Sequence, residues 1–135
     1  MPISGDNKLI ARLKKARNIS NAMDKWALDG AKTVMEEAQF LIRDGAIPPP
    51  NHVPSLPGQP AKEEYGDLAR DMAVESLPER GSAAFIAYSD HALPTEFGTS
   101  KMVERPWARP ATSNKRKAIL DAARKAVDDV VKGRD

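Results

Sequence analysis

Between residues 6 and 44 the apolar positions Leu9, Leu13, Ala16, Met23, Ala27, Val34, Ala38 and Leu41 recur at intervals of three, four and seven, the spacing of one helical face. The pattern predicts one long helix or two nearly collinear ones, with Asp6 as N-cap and Gly45 as the residue that ends it. Asn18-Ile19-Ser20-Asn21 is a run of poor helix formers and the expected place for a break. Unbroken, such a helix would be roughly 55 to 60 Å long at 1.5 Å per residue. That exceeds what one small domain can cover, so part of it is expected to pack on a partner.

The periodicity then stops. Residues 45–66 hold Pro48, Pro49, Pro50, Pro54, Pro57 and Pro60, which forbid regular helix or central strand and favour a stiff, extended path. A stretch of this length without secondary structure is usually functional or disordered. It is expected to be an arm that contacts a partner and is held by one. Residues 67–77 follow with Leu68, Met72 and Val74 on one parity, interrupted by Arg70, and after Glu79-Arg80-Gly81-Ser82 comes the strand-forming run Ala84-Phe85-Ile86-Ala87-Tyr88. This pattern predicts a β-hairpin.

Pro94 suits the first turn of a short helix and Gly98 the left-handed residue that ends one. Residues 100–107 could add a third strand, at an edge or interrupted, because Pro106 cannot donate a ladder hydrogen bond. Pro110 or Thr112 opens a last helix, residues 110–132, with Ile119, Leu120, Ala123, Ala126, Val127, Val130 and Val131 on its apolar side. Asp121 with Lys125, and Asp128 with Lys132, have the i,i+4 order that supports an exposed face. The expected fold is α+β: a long N-terminal helix and a C-terminal helix packed on a small, mostly antiparallel β-sheet, with a long Pro-rich loop. At 135 residues the chain fits one domain, residues 1–135.

Composition narrows the class. Hydrophobic residues are 41% of the chain and aromatics only 5%, so the core must be thin, and a thin core often completes itself against neighbouring subunits. Lys and Arg number 21 against 19 for Asp and Glu, a net charge of +2 that is too small to make nucleic-acid binding the main task. Without cysteine there is no disulfide, thiolate metal site or thiol nucleophile. No apolar run approaches the ~20 residues needed to span a bilayer, and the N-terminus lacks a basic stretch followed by an apolar one, so neither a membrane role nor a secretory signal is expected.

Catalytic chemistry finds little to stand on. His52 and His91 have no metal-ligand spacing. Glu36-Glu37 and Glu63-Glu64 are adjacent pairs, unlike acid-base carboxylates held across a cleft. Ser20 and Ser113 have no histidine nearby in sequence. No catalytic residue, metal ligand or cofactor is expected, and the chain is read as a non-enzyme. Two basic patches remain, Lys8, Arg12, Lys14, Lys15 and Arg17, and later Lys115, Arg116, Lys117, Arg124 and Lys125. They are either solvated helix faces or contacts to an acidic surface or to DNA passing through a ring.

One segment is more specific. Glu96-Phe97-Gly98-Thr99 followed by Arg105-Pro106-Trp107-Ala108-Arg109-Pro110-Ala111 resembles, in order and spacing, the signature of the gene-product-ten-like tail-completion, or head–tail joining, family of siphophages and lambdoid prophages. Ser55-Leu56-Pro57-Gly58-Gln59-Pro60 and Tyr65-Gly66-Asp67-Leu68 are similar to that family's Pro-Gly loop and its entry into the first strand. The order of elements agrees as well, so the resemblance spans essentially the whole chain. His91, Tyr65, Glu104 and Trp107 stand where the family often has tyrosine, threonine, alanine and phenylalanine. The resemblance implies a structural virion protein of a phage, prophage or gene transfer agent. It would be made in the host cytoplasm and incorporated in the neck at the top of the tail. There it would form a ring, commonly a hexamer, with the head–tail connector, adaptor or stopper on one side and the tail terminator or tail tube on the other. Non-specific contact with DNA in the channel is compatible with it. A small helical nucleic-acid-binding module is the alternative, and a hydrolase the third.

The motif residues Glu96, Phe97, Gly98, Thr99, Arg105, Pro106, Trp107, Arg109 and Pro110 are thus expected to be structural first and interfacial second. Gly98 would supply a positive φ, freeing Phe97 to turn its ring into the core beside Trp107. Glu96 would accept backbone N–H bonds of its own turn or pair with Arg105 or Arg109. Arg105, Trp107 and Arg109 would serve either as an intersubunit hot spot or, for Trp107, as core filling.

Overall fold

The structure, a computed structural model, describes residues 4–47, 49–62, 64 and 66–133, without the side chains of residues 4–6. The expectations for Pro48 in the arm and for Tyr65 lie outside the described residues, whereas Asp6 falls inside the first turn of the first helix, two residues past its start, and is not its N-cap. The first helix, α1, runs from Ser4 to Arg43 without interruption. Residues 18–21 do not break it: each costs at most about 0.7 kcal/mol relative to alanine, and none is glycine or proline. Its end is where the sequence puts it. Gly45 takes φ 68°, and the Lys62 ammonium donates to the carbonyls of Asp44 (2.5 Å) and Leu41 (3.4 Å), placing a cation at the helix C-terminus.

A single helical turn, α2 (Asp67–Arg70), leads into β1 (Met72–Ser76), which pairs antiparallel with β2 (Ala83–Ala87). The expected strand over residues 67–77 is therefore shorter. Arg70 does not spoil its alternation because it lies in the helical turn, bonded to Asp67 at 2.7 Å. The hairpin tip is fastened to α1: Asp24 accepts the Gly81 N–H at 2.6 Å and pairs with Arg80. The Gly81 N–H, followed by Arg80, holds the Asp24 carboxyl below its ordinary range.

The short helix α3 (Ala92–Phe97) and the last helix α4 (Ala108–Val131) complete the fold. No third strand forms among the described residues. Residues 99–102 close a tight turn, with reciprocal Thr99 and Met102 backbone bonds of 2.8 and 3.3 Å. The carbonyls of Glu104 and Arg105 are taken instead by the Pro-rich arm, from the N–H groups of Gly58 (3.0 Å) and Ala61 (3.3 Å). The partner expected to hold the arm is thus, in its second half, this chain's own residues 104–105.

Helix α4 lies antiparallel along α1. Asn114 and Lys115 meet Glu37, and Ile119 sits against Gly30, where an added Cβ would be 3.1 Å from Ile119 Cγ2. The Trp26 indole N–H reaches the Ile119 carbonyl at 2.9 Å, and Ala126 and Val130 share a groove with Ala22. Asp128 pairs with Lys132 as the spacing predicts, while Asp121 lies nearest Arg124 rather than Lys125. The core gathers Val34, Ala38 and Ile42 of α1 with Ala61, Leu68, Ala69, Ala92, Trp107 and Ala111. Five of these nine are alanine, so the core is as thin as the composition predicts. Nothing in it reaches the first third of α1: residues 7–18 are exposed on every side.

Candidate functional site

Glu96 is the centre of the motif's geometry, and it is a buried carboxylate, 5% exposed, among described core residues that are otherwise apolar apart from Ser55. The reason lies in how α4 begins. A helix leaves its first four backbone N–H groups without intrahelical partners. The N-cap here is Trp107, which has no side-chain oxygen to offer. Glu96 supplies the missing acceptor from another element. Its Oε2 takes the N–H of Trp107 (2.7 Å) and Ala108 (2.9 Å), and its Oε1 takes the N–H of Arg109 (2.9 Å). The fourth position is Pro110, which has no N–H, so every orphan donor at this end is accounted for. The negative charge also faces the positive end of the helix dipole.

Arg109 closes the clamp. Its Nε bonds Glu96 Oε1 at 2.9 Å, and its Nη2 reaches the Glu96 carbonyl at 2.7 Å and Glu104 at 2.9 Å. Burial pushes the Glu96 carboxyl up, but the N–H groups of Ala108, Trp107 and Arg109, with the Arg109 guanidinium, outweigh it, so its pKa lies below the ordinary 4.5. Glu96 therefore pairs with Arg109, not Arg105, and caps α4 rather than its own turn.

Trp107 is 3% exposed and packs edge-on against Phe85, ring centroids 6.1 Å apart. Its indole N–H is satisfied by Thr95 Oγ1 at 2.9 Å. Of the two roles open to Trp107, the structure gives core filling. Phe97 departs from expectation: it is 62% exposed, with the Arg109 guanidinium 5.2 Å above its ring. The core position beside Trp107 belongs to Phe85. Gly98 has φ 76°, and Thr99 Oγ1 accepts the Lys101 N–H in the following turn. The Arg105 N–H donates to the Thr95 carbonyl at 2.6 Å, and Pro106 is half-buried beside it.

The arm prolines Pro49, Pro50, Pro54 and Pro57 are exposed and Pro60 is half-buried. The arm nonetheless touches the motif through Gly58–Glu104 and Ala61–Arg105. Ser55 Oγ and Arg105 Nε are buried without hydrogen-bond partners and line a cavity of about 420 Å³ that also includes His52, His91 and Lys62. Ser55 Oγ is bonded to neither histidine, so the nucleophile–base contact of covalent catalysis is not formed there. Among the described residues no cluster of His, Asp or Glu could hold a metal ion, and no helix is long and apolar enough to cross a membrane.

Thr95 and Glu104 are site residues the sequence reading passed over. The signal for Thr95 was present: a buried indole N–H nearly always needs an acceptor. Thr95→Val should cost about 1 to 2 kcal/mol by orphaning that donor, read as a shift in urea midpoint with unchanged slope. Comparison of the chain with known protein families, with curated proteins and with solved structures found no match.

Proposed function

We propose that the chain is a structural subunit of a phage-type virion, a tail-completion or head–tail joining protein that acts as a ring in the neck and catalyses no reaction. The observation that carries the reading is the motif over residues 96–111. Glu96, Arg109 and Glu104 are spent on one another: Glu96 caps α4 and Arg109 ties Glu96 to Glu104, while Trp107 anchors to Thr95. Such a motif fixes the direction of a helix and of the arm beside it and leaves no reacting group in a cleft. The large apolar residues left on the surface add support. Leu13, Val53, Leu56, Leu93 and Phe97 are all at least 60% exposed, the kind of surface that assembly covers.

The arm is the part best placed to meet the connector or the tail, and its structure refines the test. Removing residues 47–64 would take Ala61 out of the core, so loss of function would report misfolding. Val53→Asp with Leu56→Asp changes only exposed positions. The expected outcome is a normally folded protein whose producing cells accumulate unjoined heads and tails in electron micrographs; a normal yield of complete particles would overturn the arm's role.

The second reading, a nucleic-acid-binding module, draws on Lys8, Arg12, Lys14, Lys15 and Arg17, which share residues 7–18 with no acidic side chain. It requires DNA retention by the purified protein to fall steeply with salt. A flat salt dependence rules out direct phosphate contact.

A further inference from the structure

Among the described residues, two surfaces carry apolar positions that lie outside the core and keep some exposure, and their charges are opposite. The first is the free third of α1. At ~100° per residue, Leu9, Leu13 and Ala16 fall on the same stripe as the buried Val34 and Ala38. The core-facing stripe of α1 thus continues past the body for several turns, where Leu9 and Leu13 are 54% and 60% exposed. Lys8, Arg12 and Lys15 flank it on one side, Lys14 and Arg17 on the other. A helical piece this short is marginal in water by itself, and its stability normally comes from packing an apolar face.

The second surface is the outer face of the hairpin. Met72, Phe85 and Ala87 point into the core, so the register Met72↔Ala87, Val74↔Phe85 puts the alternate residues on the opposite face. That face carries Ala73, Ala84 and Ile86 between Asp71, Glu75 and Tyr88, with Tyr88 bonded to Glu75 at 2.8 Å. The segment around it, residues 67–90, also holds Asp67, Glu79 and Asp90, while its two cations are engaged, Arg70 with Asp67 and Asp71 and Arg80 with Asp24.

We propose that the chain self-associates head to tail, the free third of α1 of one copy lying across the outer face of the β1–β2 hairpin of the next. An amphipathic helix lacking a sheet and a sheet face lacking a helix are the two halves of one layered packing. The helix cannot reach its own hairpin's outer face, because the same unbroken rod packs its later turns on the inner face. Pairing helix with helix would set cations against cations, and hairpin with hairpin carboxylates against carboxylates, so the unlike pairing wins. An interface between two different patches generates a closed ring or an open filament. The biological use of this contact rests on the neck-ring reading above; the contact itself does not.

The test is light scattering on purified protein. The parent should show concentration-dependent assemblies that dissociate as salt approaches 1 M, where the screening length is ~3 Å. A helix variant, Lys8→Glu with Arg12→Glu and Lys15→Glu, and a hairpin variant, Asp71→Lys with Glu75→Lys, should each weaken association by about 100-fold, with circular dichroism confirming the fold. Mixed, the two have unlike charges at both contacts, parent helix on parent hairpin and reversed helix on reversed hairpin, and should regain assemblies in which the variants alternate. Because the chain has no cysteine, Leu13→Cys and Ile86→Cys give a second measurement: mixed and oxidised they should form a disulfide-linked dimer, and neither alone should. Unchanged assemblies in either charge variant, a monomeric mixture, or no cross-link overturns the proposal. So does binding of DNA or of phosphatidylserine vesicles that requires the helix cations while parent assemblies survive their reversal. Particle assembly is scored separately, so a failed neck reading with intact self-association, or the reverse, is distinguishable.

Discussion

Glu96→Ala is expected to destabilise the protein by about 3 kcal/mol, the cost of leaving three helix N–H donors without their acceptor, with the half-exposed Arg109 free to turn to water. The magnitude follows from what is orphaned. The N–H groups of Trp107, Ala108 and Arg109 lose their acceptor together, and the Arg109 guanidinium loses one of its two carboxylates. Glu96→Gln should cost less, since the amide keeps one oxygen for the α4 N-terminus while bringing an N–H₂ among donors. The pH dependence has a definite sign. The folded pKa lies below 4.5, so the contribution is fully present above that value and is lost as pH falls through the folded pKa. Urea midpoints of the parent should therefore fall on acidification below about pH 4.5 more steeply than those of Glu96→Gln. Parallel curves for the two proteins would mean that the carboxylate is not the cap.

Much of this architecture is legible in the amino-acid pattern, and the failures share one physical origin. The long helix, the Pro-rich arm, the hairpin and the last helix follow from periodicity and from proline and glycine, which act locally. The start of α4 does not, because its cap comes from eleven residues upstream. Reading forward, Pro110 and Thr112 look like openers, yet Thr112 bonds back to the Ala108 carbonyl and caps nothing. The same non-local demand inverts the polarity of α3: the carboxylate of Glu96 must face inward to reach α4, so its neighbour Phe97 is turned out. A rule that puts phenylalanine inside fails where a buried acceptor has prior claim on the position. The third strand fails similarly, since residues 104–105 give their carbonyls to the arm.

The arm's attachment also explains why Gly98 should be among the least replaceable positions. Its φ of 76° and ψ of 176° place it in a region that is nearly glycine-only. A Cβ there would lie 2.9 Å from both the Met102 carbonyl oxygen and the Glu104 nitrogen, backbone atoms that cannot rotate away. Strain and overlap each cost on the order of 1 to 3 kcal/mol, so Gly98→Ala should lose about 4 kcal/mol. Gly58 is the natural control: its φ is 83°, but an added Cβ meets nothing within 4 Å, so Gly58→Ala should lose only about 1 kcal/mol. The damage should also spread along a defined path. Pushing residues 102–104 outward strains the Glu104–Arg109 pair and the Glu104 carbonyl that receives the Gly58 N–H. Hydrogen exchange at the Gly58 and Ala61 amides should then accelerate in Gly98→Ala well before the hairpin amides do. Equal stability of the two alanine variants would mean that the close approach at Gly98 is absent in solution, and with it the coupling between the motif and the arm.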